Sequence, residues 1–155
     1  MSSFADRGGW WVVAQFLLMA ATIGMGLLPP RWPDGAEAGL VAAGAVVAFV
    51  GALLAYLAAH ELGRALTPFP APSRRGALVQ TGPYRFVRHP IYLAGLLFFT
   101  GYALVAGPLG LVGSALLGLL WAHKASLEER FMQERYDGYA DYERRVRWRL
   151  VPMVW

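Results

Sequence analysis

The densest group of chemically useful side chains in this sequence is Thr81-Gly82-Pro83-Tyr84-Arg85-Phe86-Val87-Arg88-His89-Pro90-Ile91-Tyr92. Arginines, a histidine, tyrosines and prolines stand directly before a strongly apolar run, so polar chemistry is placed where a membrane would begin. That is an expensive place for idle charge. A second group, Glu128-Glu129, follows the next two apolar runs. Each group also has a plain structural reading. Gly82-Pro83 makes a turn, the arginines anchor at lipid phosphates and Pro90 opens a helix. Glu128 balances Lys124 four residues earlier, a pairing that contributes only ~0.2–0.5 kcal/mol. Together the two groups say more, because a short hairpin between them would bring carboxylates, guanidinium groups and an imidazole to one mouth under partly dehydrated conditions.

The elements that must position these groups are apolar. Of the 155 residues, 57% are hydrophobic and 15% charged, against about 25% charged in an average soluble domain. The apolar residues lie in long uninterrupted runs, and the economical reading is an all-α, polytopic integral membrane protein forming a single domain over 1–155. The absence of cysteine excludes disulfides, thiolate metal sites and cysteine nucleophiles. A net charge of +4 would suit nucleic acid if it were clustered on a soluble face. Here the basic residues flank apolar runs, where they set topology or meet anionic lipid, and no nucleic-acid partner is expected.

Four transmembrane helices are predicted, at about 10–28, 38–59, 91–106 and 109–125, after a short frayed segment from Met1 to Gly9. Trp10 and Trp11 suit an interface at the entrance to the first, which has one notable polar interruption, Gln15. Ala36-Glu37-Ala38 looks like a signal-peptide cleavage site. The first run, however, is longer than the ~7–15 residues of a signal-peptide core and too far from that site, so removal is not expected. Pro29, Pro30 and Pro33 break the chain after the first helix. Gly39, Ala43, Gly44, Ala48, Gly51, Ala52 and Ala55 give the second helix a surface for close packing.

Leu62 to Arg88 reads as a polar loop with Arg64, Arg74, Arg75, Arg85 and Arg88, and Gly107-Pro108 turns the last two spans into a hairpin. From Ser126 the sequence becomes charged and aromatic. Tyr136, Tyr139 and Tyr142 at every third position predict a C-terminal amphipathic interfacial helix. With four spans, every basic residue except Arg31 shares one face with both motifs, and the positive-inside rule makes that face cytoplasmic. The expected location is a bacterial cytoplasmic membrane with the site facing the cytosol.

The opening stretch resembles the Gly-Pro-Tyr-x-x-x-Arg-His-Pro-x-Tyr signature of the membrane methyltransferases typified by isoprenylcysteine carboxyl methyltransferase and the phospholipid N-methyltransferases. Glu128-Glu129 is similar to that family's Glu-Glu pair. Tyr139, Tyr142 and Arg149-Leu150-Val151-Pro152 match its spaced tyrosines and Arg-apolar-apolar-Pro ending. The resemblance covers roughly Gly76 to Pro152. It implies S-adenosylmethionine as methyl donor, with S-adenosylhomocysteine as product, bound by the third and fourth helices rather than by a Rossmann sheet. Consistently, Gly107-x-x-Gly110-x-x-Gly113 lies inside an apolar hairpin and not between a strand and a helix.

By this resemblance Gly82, Pro83, Tyr84, His89, Pro90, Tyr92, Glu128 and Glu129 are the cofactor-binding residues, and Arg88 and Arg149 the catalytic ones. Carboxylates suit the donor's ammonium or ribose, Arg88 or His89 its carboxylate, and Arg149 would orient an anionic acceptor. No metal is called for. Membrane lipids are expected partners, and the acceptor would be a lipophilic small molecule or lipid with a carboxylate, thiol or amine nucleophile. Two alternatives stand: a nicotinamide-dependent reductase on the related sterol-reductase-like scaffold, and a non-catalytic membrane protein that keeps the scaffold.

Overall fold

The computed structural model describes residues 3–73 and 76–152. Arg74 and Arg75 lie outside the described residues. Helix α1 spans Gly9–Leu27, α2 Glu37–Leu62, α3 Pro90–Ala106, α4 Leu109–Arg135 and α5 Tyr139–Arg145. Short 3₁₀ turns at Gly63–Ala65 and Gly82–Arg85 punctuate the loop between α2 and α3. Every regular element among the described residues is helical, as expected.

Among the described residues, three helices are long and apolar enough to cross a membrane: Gly9–Leu27, Glu37–Ala65 (counting the 3₁₀ turn) and Leu109–Arg135. Helix α3, with 17 residues, spans roughly 26 Å at 1.5 Å per residue, short of a ~30 Å hydrocarbon core. Large side chains on α1 and α2, such as Phe16, Leu17, Val46, Phe49 and Leu53, stand exposed, as suits faces solvated by lipid rather than water.

Helix α3 packs against α2 on one side and against α4 and α1 on the other. Part of the small-residue surface of α2 makes its contact. A Cβ on Gly44 would lie 2.6 Å from the Gly101 carbonyl, and one on Gly51 would lie 2.6 Å from the Phe98 amide. The two backbones therefore touch, which only glycine permits. Gly39, by contrast, faces open space. Gly113 of α4 packs in the same way against Thr22 of α1. At the hairpin end, Arg31 donates from Nη1 to the Gly26 and Ala106 carbonyls and from Nη2 to the Leu27 carbonyl. One guanidinium thus caps the C-termini of both α1 and α3, where a cation also meets the negative end of each helix dipole.

Three expectations change. Helix α4 does not stop near Ala125 but runs to Arg135, because Leu127, Glu128, Glu129, Arg130, Met132 and Gln133 are all strong helix formers. The Glu-Glu pair therefore sits on a rigid helix rather than in a tail. The C-terminal helix has only seven residues, and its Tyr139 and Tyr142 are buried against Val146, Met132 and Leu78 instead of lying along the interface. The tyrosine spacing records an inward face. The N-terminal segment is not frayed over its described part: Ser3 and Asp6 exchange hydrogen bonds of 2.8 and 3.1 Å. Phe4 meets Phe69 of the long loop edge to face, with the ring centroids 5.8 Å apart.

Candidate functional site

The end of α2, the start of α3 and the extended C-terminal half of α4 meet at one end of the bundle, and the long loop closes over them. Gly82 starts the signature with a φ of 56°, a left-handed conformation that favours glycine. A Cβ there would also strike the Glu61 side chain at 2.6 Å. Glu61 accepts a 2.7 Å hydrogen bond from Thr81. Pro83 lies in the 3₁₀ turn, and Pro90 occupies the first turn of α3, where its missing N–H leaves no bond unmade. Between them the Arg88 and His89 amides donate to the Trp148 and Arg149 carbonyls, both at 3.0 Å. The C-terminal tail is thus stitched to the signature by backbone bonds.

The buried guanidinium of Arg88 fixes this arrangement. Its Nε donates to Glu129 at 2.7 Å, its Nη1 to the carbonyls of Val146 at 2.8 Å and Arg147 at 3.1 Å, and its Nη2 lies 3.4 Å from Glu143. His89 sits between the two glutamates, Nδ1 3.4 Å from Glu128 and Nε2 3.2 Å from Glu129. Burial pulls the imidazole toward neutrality, but the two carboxylates outweigh it and raise its pKa above the ordinary value. Arg149 completes the cluster, with Nη2 2.6 Å from Glu129 and Nη1 donating to the Ser126 hydroxyl at 3.0 Å. Charged groups of both signs alternate here, and each cation named has a carboxylate in reach, the condition for keeping such charge buried.

Tyr92 donates to Glu128 through its hydroxyl. Its ring stacks between His89, at 5.6 Å, and Trp121, at 5.9 Å, with interplanar angles of 8° and 7°. Burial pushes the Tyr84, Tyr139 and Tyr142 phenols well above their usual range, so they stay protonated and can act as donors. The Tyr142 hydroxyl donates a hydrogen bond to the Tyr84 carbonyl at 2.8 Å, and Tyr136 donates to the Gly76 carbonyl at 2.8 Å.

These groups border a pocket that opens to solvent. The loop from Leu66 to Val79 supplies an apolar wall, Tyr136, Tyr139 and Tyr142 an aromatic one, and Arg88, His89, Tyr92 and Glu128 the polar floor. Of the residues singled out in the sequence, Tyr84, Arg88, His89, Tyr92 and Glu128 line the pocket. Gly82, Pro83 and Pro90 shape its backbone. Glu129 and Arg149 stand behind the floor and hold it.

Two partnerships differ from the sequence reading. Lys124 forms no ion pair with Glu128 but donates to Gln15 of α1 and to the Pro68 carbonyl. Glu143 and Ser126 enter the cluster unannounced, because their roles depend on how the tail folds back. Gln15 had a legible signal, a lone amide in an apolar run.

The cobalt-zinc-cadmium resistance protein CzcN of Cupriavidus metallidurans is 28% identical over 141 residues, covering 90% of this chain and 60% of that protein. The nickel-cobalt-cadmium resistance protein NccN of Alcaligenes xylosoxydans xylosoxydans is 27% identical over 151 residues, covering 94% of this chain and 66% of that protein. The chain therefore spans about two thirds or less of the length of these curated relatives, whose names state a resistance and no reaction. A family model described as phospholipid methyltransferase matches residues 40–138, from α2 through the Glu-Glu pair and so across most of the pocket. The chain belongs to the phospholipid methyltransferase family.

Proposed function

We propose that this protein transfers a methyl group from S-adenosylmethionine to a lipophilic or membrane-associated acceptor at the cytosolic membrane face. The observation that carries the reading is the convergence of Arg88, His89, Tyr92 and Glu128 on the floor of one largely apolar pocket. That donor set fits a zwitterionic cofactor. Glu128 is the pocket-lining carboxylate able to take an ammonium or ribose hydroxyls, while Arg88 and His89 present cations to a carboxylate. The family supports methyl transfer over the reductase alternative.

When bound, S-adenosylmethionine supplies an electrophilic methyl group on a sulfonium. The chain's own task is then to align and to exclude water. The tyrosine wall and the loop give the pocket its apolar lining. Arg88, locked by Glu129 and the tail carbonyls, presents its charge without reorganisation. Glu129 holds His89 from behind, and Arg149, held by Glu129 and Ser126, is the proposed orienting group for an anionic acceptor.

The test is transfer of label from methyl-labelled S-adenosylmethionine into solvent-extractable material by nanodiscs carrying the purified protein. Labelled product is expected with the wild type and not with Glu128→Gln. Absence of labelled product from the wild type across lipid, prenyl-thiol and amine acceptors would contradict the reading.

A further inference from the structure

Lys124 is 1% exposed, and lysine is almost never so buried without a partner charge. Among the described residues no carboxylate lies within 4 Å of its ammonium. Its partners are the Gln15 side-chain oxygen at 2.8 Å, the Pro68 carbonyl at 2.7 Å and the face of the Tyr92 ring at 5.3 Å. The Trp121 indole donates to the same Gln15 oxygen at 3.1 Å. Two charge-assisted hydrogen bonds and a cation–π contact use all three directions of an ammonium. Those partners belong to three different parts of the molecule: Gln15 to α1, Pro68 to the long loop, Tyr92 to α3.

The loop contact is the informative one. Pro68 lies between Thr67 and Phe69, which both line the pocket, and Tyr92 forms its floor and holds Glu128. Lys124 does not line the pocket, but it touches the wall and the floor at once. Apart from this bond, that stretch of wall is held by the Ala71 amide on the Arg7 carbonyl at 3.4 Å, by Arg7 over the Phe69 ring at 4.0 Å, by the edge-to-face contact of Phe4 with Phe69 and, within the stretch, by the Phe69 amide on the Thr67 hydroxyl at 3.2 Å. A proline carbonyl with no helix or sheet around it is a weak anchor unless something strong accepts the role, and a buried ammonium is the strongest donor available.

We infer that Lys124 is a positioning residue: its ammonium ties the Thr67–Phe69 wall to Gln15 and Tyr92 and so sets the width of the pocket. This rests on the pocket being the working site, but the tie itself does not depend on which molecule binds there. An apolar side chain of similar length at position 124 frees the wall without emptying the core. A carboxylate at position 15 still accepts from both Trp121 and Lys124 and adds opposite charge.

The experiment is hydrogen exchange on the full chain in nanodiscs without ligand, read at the Phe69 and Ala71 amides. Lys124→Met and Gln15→Leu are expected to speed exchange there by about tenfold or more while amides in the middle of α3 and α4 stay as in the wild type. Gln15→Glu is expected to keep the wild-type rate. Unchanged exchange in Lys124→Met, or acceleration spread evenly over the helices, would overturn the inference. Titration of the same samples with S-adenosylhomocysteine separates the two claims: a wild type that fails to bind contradicts the methyl-donor reading, while the exchange rates still decide the role of Lys124.

Discussion

Glu129 shows how one side chain organises a site it does not border. It accepts from Arg88, His89 and Arg149, so three cations are aimed by one buried carboxylate. Removing it strands them, and breaking a buried ion pair from one side costs about 3–5 kcal/mol. Glu129→Ala is therefore expected to lower the unfolding midpoint strongly. Arg147→Ala, which removes an exposed side chain, should leave the midpoint nearly unchanged. His89 adds a pH dependence. Its folded-state pKa is raised, so its contribution is complete below the unfolded value of about 6.5 and is lost as pH rises through the folded value. The thermal unfolding midpoint should fall as pH rises above about 6.5 in the wild type and lose that slope in His89→Asn. A wild-type midpoint that rises over this window would contradict an imidazolium held between Glu128 and Glu129. The residue types of this cluster were legible from the two motifs. Which carboxylate faces the pocket was not, because that depends on the rotation of α4 beyond Ala125.

At the scale of elements, α2 and α3 approach at glycine, and the cost of disturbing them depends on position. Gly51→Ala forces a Cβ to within 2.6 Å of the Phe98 amide, an overpacking of about 1–3 kcal/mol. Gly39→Ala meets nothing within 4 Å and should be neutral or gain up to about 1 kcal/mol from helix propensity. Unfolding in detergent measures both, and equal effects would show that α2 does not pack on α3 as described. The helices themselves were readable from apolar runs, and the small-residue surface of α2 was readable from spacing. Two features were not. The continuation of α4 to Arg135 is a matter of propensity overriding a change in composition. The burial of Tyr139 and Tyr142 follows from a tail that returns to the signature through the Trp148 and Arg149 carbonyls, and a period of three cannot tell a protein-facing side from a lipid-facing one.

For the whole molecule, the ends of α2 and α4 and the start of α3 share one face with the pocket, while Arg31 closes the opposite end. We propose four crossings with the pocket end of the bundle on the cytosolic side, the three spanning-length helices being joined by the 17-residue α3. Reporter fusions after Pro33 and at the C-terminus should report opposite sides, and the same side for both would contradict the topology. The central claim is that this pocket holds the methyl donor, and calorimetric titration of the protein in nanodiscs with S-adenosylhomocysteine tests it most directly. Wild type should bind. Glu128→Gln, which removes the carboxylate on the pocket floor, should lose a charge-assisted contact of ~1.5–3 kcal/mol, roughly ten- to more than a hundredfold in affinity. Glu134→Gln, exposed on the same helix, should bind as the wild type does. No binding by the wild type, or equal affinities for all three proteins, would contradict it.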